Sequence, residues 1–283
     1  MTIQERLDAA MTAEPNEAYH DRSRSGEFLS SHKLALFRQD PTLYAASMAG
    51  AMREPEREAF TVGSATHTLI LEGREAFGRE YIVGGPVNEK TGKTYGRDTA
   101  KFAAWIAENA KGRPVLGDGE YELIQAMEAA VQSHTIARGM VNRPGIVEHV
   151  CRATVMGVPC QARPDKVWVD ADGVLHILDL KTCADLDKFK WNVRDYGYAE
   201  QLAFYSWVLR MAVDSGAPLD EITRYELHII AVEKQAPYRV GVFEFGQARR
   251  SDAFRTIGED LAAFARYKAT GRVIGKYDEI NYL

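Results

Sequence analysis

The stretch Arg163-Pro164-Asp165-Lys-Val-Trp-Val-Asp170-Ala-Asp-Gly173-Val-Leu-His-Ile-Leu-Asp179-Leu-Lys181 decides the fold. Asp170-Ala-Asp-Gly173 is a hairpin signal between two runs of β-type residues, so Cys160–Val169 and Val174–Lys181 read as paired strands. In a strand, residues two apart point to the same face. Asp179 and Lys181 therefore project together, and Leu178 and Leu180 face the other way. Asp165 lies across the hairpin, and Pro164 removes a ladder donor beside it, which favours a bend. Two carboxylates and one ammonium converge. An Asp-x-Lys triplet alone reads as a solvated same-face pair, with Asp165 as a turn cap. Arg-Pro-Asp at this hairpin offset brings the chemical reading level with that one. Hard carboxylate oxygens suit Mg²⁺, and a lysine beside them orients or deprotonates water or offsets charge on phosphorus. Such a set is suited to metal-dependent phosphodiester hydrolysis.

Working outward, Ile146–Val155 reads as an earlier strand, with Gly157-Val-Pro159 as its turn. A three-strand antiparallel meander results. Downstream come a helix from about Tyr198 to Val213, strands over 225–233 and 238–245, and a helix over 247–269 ending at Gly271. Upstream the pattern is helical. Ser30 or Ser31 caps a helix that stops at Asp40-Pro41, Val62–Glu72 is a buried helix, and 98–110 and 119–140 are amphipathic helices. Residues 84–97 read as a mobile loop. Residues 1–25 are polar and expected to be frayed and partly disordered. The expected architecture is α+β: a single domain over 26–283, with a helical front half over about 26–145 that walls a mixed sheet in 146–283.

The 283 residues include 46% hydrophobic and 27% charged positions, enough for a sizeable core in an ordinary soluble protein. No apolar run is long enough to span a membrane, and the N-terminus lacks an apolar signal region. Cys151, Cys160 and Cys183 are too few for a disulfide scaffold and lack paired zinc spacing. A cytoplasmic setting is expected. The net charge of −5 argues against a uniformly basic coat but not against a nucleic-acid enzyme with a confined basic channel.

Pro164-Asp165 and Asp179-Leu-Lys181 resemble the PD-(D/E)XK nuclease motif. Most of the chain, from about residue 18, is similar to the exodeoxyribonuclease VIII (RecE-type) group of phage and prophage recombination nucleases. Carrying that likeness are Ser30–Tyr44, Gly63-x-x-x-His67, Val147-Glu148, Gln201-x-x-x-Tyr205 and Val232–Tyr238. The resemblance implies a restriction-endonuclease-like core. It implies that Asp165 and Asp179 are metal carboxylates, His67 a further ligand, the Leu180 carbonyl a completing oxygen, and Lys181 the catalytic lysine. Glu148, on the first core strand, would support the site. Gln201 and Tyr205, one helical turn apart, would line the DNA path or buttress Lys181, and Arg163 would assist. The implied cofactor is one or two Mg²⁺ ions, with Mn²⁺ as a substitute. The implied activity is degradation of linear double-stranded DNA from 5′ ends, leaving 3′ single-stranded overhangs. The implied setting is a bacterial host, phage or prophage encoded, with a homo-oligomeric ring and a single-strand annealing protein as partners.

Other readings compete. Another PD-(D/E)XK activity, structure-specific or single-strand, and a non-catalytic DNA-binding protein on the same fold both fit. Gly92-Lys93-Thr94 imitates the end of a phosphate-binding loop, but Val87 stands where that motif needs glycine. Lys90, Lys93 and Arg97 on this loop are instead candidates for DNA phosphates or for simple solvation. Trp105, Trp191 and Trp207 are candidates for base stacking or for the core.

Overall fold

The computed structural model describes residues 2–52, 58–213 and 225–278. Residues 1–25, expected to fray, are folded where described. Helix α1 (Ile3–Ala10) opens with a Thr2–Glu5 capping box and buries Leu7, β1 (Met11–Thr12) follows, and α2 (Asn16–Arg24) comes next. Leu7 from α1 and Met11 from β1 both enter the core and dock an otherwise polar segment. Ser30 caps α3 (Ser31–Gln39). Asp40 ends it and at once caps α4 (Pro41–Met48), its carboxylate accepting from the Thr42 N–H at 2.8 Å.

The buried helix expected over 62–72 is two forms of helix in series. The first, α5 (Glu58–His67), passes straight into a π-helical turn over Thr68–Glu72, and α6 (Gly73–Glu80) continues. Strand β2 (Ile82–Val83), α7 (Ala100–Asn109) and β3 (Val115–Leu116) follow, with β2 and β3 in parallel. The helix expected over 119–140 divides at His134 into α8 (Asp118–Ser133) and α9 (Thr135–Val141). His134 leaves the helical region, and its Nδ1 accepts from the Ala137 N–H.

The expected meander is cut twice. Strands β4 (Ile146–Val147) and β5 (Val150–Val155) are separated at Glu148, whose φ is +54°. Strands β6 (Val158–Ala162) and β7 (Lys166–Val169) are separated at Arg163-Pro164-Asp165. A left-handed residue and a missing N–H each end a ladder. As a result β5 and β6 join β1 in a three-stranded sheet. Pro159, expected in the turn, lies in β6 opposite Thr154, and the turn is Met156-Gly157. Strand β7 pairs with β8 (Leu175–Cys183) around the Asp170–Gly173 hairpin.

From β8 the chain runs through α10 (Phe189–Asp195) and α11 (Tyr198–Val213) to β9 (Tyr225–Glu233), parallel to β8, and then to the antiparallel β10 (Val240–Glu244). The mixed sheet has the order β10-β9-β8-β7-β4. Helix α12 (Gln247–Thr270) ends at Gly271, with φ of +65°. The two faces of this sheet have separate cores. Ile177, Leu227 and Ile229 pack with α3, α11 and α12. Leu178, Leu180, Ile230 and Val232 pack with α5, α8 and α9. No helix among the described residues is long and apolar enough to cross a membrane.

Gly145 brings the chain against β7. A Cβ there would lie 2.6 Å from the Val167 carbonyl oxygen, which as backbone cannot swing away. Gly145→Ala is expected to cost about 1–3 kcal/mol. Gly78→Ala, where a Cβ meets nothing within 4 Å inside α6, should be neutral or stabilising. Thermal melting of the pair checks this, and a Gly145→Ala protein that melts with the wild type would contradict it.

Candidate active site

Strand β8 is paired with β9 along its whole length, but with β7 only from Leu175 to Leu178. Beyond Leu178 the β7 flank is open because the partner chain has reached Asp165 and Pro164. The Asp165 side chain replaces the missing strand: its Oδ2 accepts from the Leu180 N–H at 2.6 Å. The hairpin thus fixes Asp165 beside Asp179-Leu180-Lys181 through a backbone bond.

Glu148 arrives from the β4–β5 break. Its N–H donates to the Asp165 carbonyl at 3.1 Å. Arg163 holds it from the other side, with Nε donating to the Glu148 carbonyl at 3.1 Å and lying 3.0 Å from its Oε2. Arg163 in turn donates to Asn16 Oδ1 at 2.6 Å, so α2 buttresses the site. His67 enters from the last residue of α5, immediately before the π-helical turn, a form common at functional sites. Its Nδ1 is 3.4 Å from Asp165 Oδ2 and 3.9 Å from Glu148 Oε1. His67, Glu148 and Asp165 each offer an atom within 4.8 Å of the others, the spacing of a metal-ligand cluster.

Asp179 and Lys181 project together as expected. Lys181 Nζ lies 2.6 Å from Asp179 Oδ2, and Asp179 is 1% exposed. Asp179 Oδ1 is buried with no hydrogen-bond partner. The Lys181 ammonium also sits over the Tyr198 ring, 4.9 Å from its centroid.

Carboxyl groups crowded together out of water resist ionisation. Burial, then Asp165, Glu72 and Asp179, push Glu148 up to about 8 against the pull of Arg163. Burial raises Asp179 to about 6 even with Lys181 beside it. Burial also raises Asp165, opposed by Lys181, the Leu180 amide and Arg163. His67 goes the other way, to about 4, through burial and then the Lys181 charge. It is therefore a neutral imidazole at ordinary pH, the form that ligates metal. Suppressed carboxylates, a neutral histidine and an orphaned carboxylate oxygen together suit a divalent cation with oxygen and nitrogen ligands.

The structure brings together His67, Glu148, Arg163, Asp165, Asp179, Leu180 and Lys181. Glu148 belongs to the strand break rather than to a strand. Gln201 Nε2 donates to the Tyr205 hydroxyl at 2.8 Å, and Tyr205 is buried. Lys93 stands on the loop between β2 and α7, exposed. That loop is tied to α8 through Thr94 with Asp118 and Arg97 with Glu120. Two groups escaped the sequence reading. Tyr198 shares a helical face with Gln201 and Tyr205 at spacings of three and seven, which was available as a signal. His32, held below its usual pKa by burial and by Lys181, follows the cap of α3 and carried no motif.

The family described as a PDDEXK-like domain of unknown function (DUF3799) matches over residues 30–283. A solved protein from Eubacterium rectale, described as a putative exonuclease, superposes with a TM-score of 0.62 at 14% identity, covering 96% of each chain. At that identity the likeness speaks for the fold. The structure of SSO0001 aligns over 51% of this chain and 68% of its own, at 13% identity and a TM-score of 0.27, too low to support an argument. No curated protein matches in sequence. The motif, the mixed sheet that carries it and the match over most of the length place this chain in the PDDEXK-like DUF3799 family.

Proposed function

We propose that this protein is a divalent-metal-dependent deoxyribonuclease acting on the ends of linear double-stranded DNA. It works 5′ to 3′ and leaves 3′ single-stranded overhangs for recombination. The observation that carries the reading is the meeting of His67, Glu148 and Asp165 with the Asp179–Lys181 pair across one strand end. End preference, polarity and membership of the RecE-type group rest on the resemblance in sequence; the description of the Eubacterium rectale protein as an exonuclease supports the end preference alone.

His67, Glu148 and Asp165 would hold the cation, with Asp179 Oδ1 and the Leu180 carbonyl as further oxygens. Mg²⁺ is the proposed ion and Mn²⁺ its substitute. When bound, the ion supplies Lewis-acid activation of the phosphodiester and a lowered pKa for water. Lys181, anchored on Asp179, holds a proton and a positive charge where charge develops on the phosphate oxygens. Arg163 holds one oxygen of the Glu148 carboxylate and leaves the other facing His67. Leu180 contributes through its backbone, so its side chain stays in the core.

The test is digestion of linear and covalently closed duplex DNA, with Mg²⁺ or chelator, beside Asp179→Ala. The expected result is loss of the linear form alone, dependent on metal, with Asp179→Ala reduced by about 10–100-fold or more. End-labelling then reads the polarity. Cleavage of the closed circle would replace the exonuclease with an endonuclease. Binding without cleavage in Mg²⁺ and Mn²⁺ would replace it with a DNA-binding protein.

A further inference from the structure

Beyond the metal cluster, a line of aromatic rings leads from Lys181 to the surface. The Lys181 ammonium faces Tyr198, and Tyr198 stacks on Tyr196 with centroids 5.7 Å apart and planes 29° from parallel. Tyr196 is 68% exposed, so one face of its ring is open beside the Tyr198 stack. It stands at the α10–α11 junction, where Gly197 adopts φ of +64° and turns the chain so that both tyrosines fall on one side. Tyr196 also borders a shallow cleft lined by His32 and Gln201. Five residues earlier, within α10, Trp191 is 48% exposed, with Lys190 Nζ and Arg194 Cζ each 5.0 Å from its ring.

We propose that Tyr196, backed by Tyr198 and followed by Trp191, is a stacking platform for bases of an unpaired DNA strand next to the scissile position. The inference rests on the nuclease reading and adds to it the form in which the strand is held. Continuity with the site carries it: Tyr196 lies no more than about 11 Å from Lys181 Nζ, the two ring contacts laid end to end. An aromatic face accepts any base, which suits an enzyme that must take successive nucleotides irrespective of sequence. Lys190 and Arg194 flank Trp191 as partners for the phosphates of the same strand. A duplex keeps its base faces covered, so the platform selects bases already released from the helix.

The experiment measures fluorescence anisotropy of a labelled oligothymidylate and of an abasic oligonucleotide of equal length, in Ca²⁺, with the whole chain. Both probes carry the same phosphates, and only one carries bases. Wild type is expected to bind the oligothymidylate at least about fivefold tighter than the abasic probe, the low end for loss of one stacked base. Tyr196→Ala should erase most of that preference, Trp191→Ala part of it, and Tyr196→Trp should retain it. A Tyr196→Ala protein that still favours the thymidylate as wild type does would overturn the platform, as would a wild type that does not distinguish the probes. If wild type degrades linear DNA in Mg²⁺, either of those results removes the platform alone. If it degrades no DNA, the nuclease reading fails, and the platform falls with it.

Discussion

Lys181→Met is expected to slow DNA hydrolysis by roughly 10²–10³-fold, the range for removing one positioned group that stabilises developing charge. Its Nζ lies 2.6 Å from a carboxylate that is otherwise sealed from water. Losing it removes charge at the phosphate and also leaves Asp179 as an uncompensated buried acid. Breaking a buried pair by deleting one partner typically costs about 3–5 kcal/mol. Asp179 relieves part of that by taking up a proton, since burial already holds it at about 6 with the lysine in place. The fold should therefore survive in Lys181→Met while the rate does not. Lys181→Arg keeps the positive charge but replaces a compact ammonium with a planar fork, so it should recover stability better than activity. Single-turnover digestion of end-labelled linear duplex, read beside thermal melting, checks both. Wild-type cleavage by Lys181→Met would remove the lysine from the mechanism.

In chelator, the protein is expected to lose stability as pH rises from 6.5 to 8, by about 1–2 kcal/mol. Glu148 is raised from 4.5 to about 8, so the folded state keeps a proton that the unfolded state has released. A group raised in this way stabilises fully below its unfolded pKa, and that contribution disappears as pH climbs through the folded value. Asp179, at about 6, has given up most of its contribution before this window opens. His67 is depressed to about 4 from 6.5, so its stabilising effect is complete above 6.5 and adds no slope there. A divalent cation should reverse the trend, because the carboxylates then stay ionised and binding releases protons. At a hundred times its dissociation constant the ion adds about 2.7 kcal/mol. Melting temperatures across this range, with chelator and with Mg²⁺, give the result. Glu148→Gln cannot ionise, so it should flatten the slope in chelator, and a slope identical to wild type would exclude Glu148 as its source.

The chemistry was legible in the sequence largely because it depends on strand alternation. Asp179 and Lys181 share a face whatever the surrounding topology, and Asp165 follows from the hairpin turn. The cap of α3, the span of α11 and the αL end of α12 were equally plain, since each is a local signal. What escaped depended on contacts distant in sequence. The division of 146–155 between two sheets rests on the left-handed Glu148, a conformation that no neighbouring residue type demands. The docking of α1 rests on Leu7 entering a core to which the distant α11 contributes most of its partners. His67 and Glu148 were named through family likeness, and their approach to Asp165 needs a helix and a strand break from different parts of the chain. Trp191 read equally as a stacking or a core residue until its exposure was seen, and Tyr196 carried no signal of its own.

The placement of the cluster has a consequence for how the molecule opens. The sheet carries an independent core on each face, and His67 belongs to the helical layer on one of them, while Asp179 lies in the sheet and Asp165 is bonded to its β8 strand through the Leu180 N–H. An ion gripped by both is a latch across a seam, and its residence time sets how often that layer lifts. Such a layer is a natural unit of partial opening. Deuterium uptake at the amides of α5 should accordingly slow when metal is added, while α11 and α12, clamped on the opposite face, keep their exchange rates.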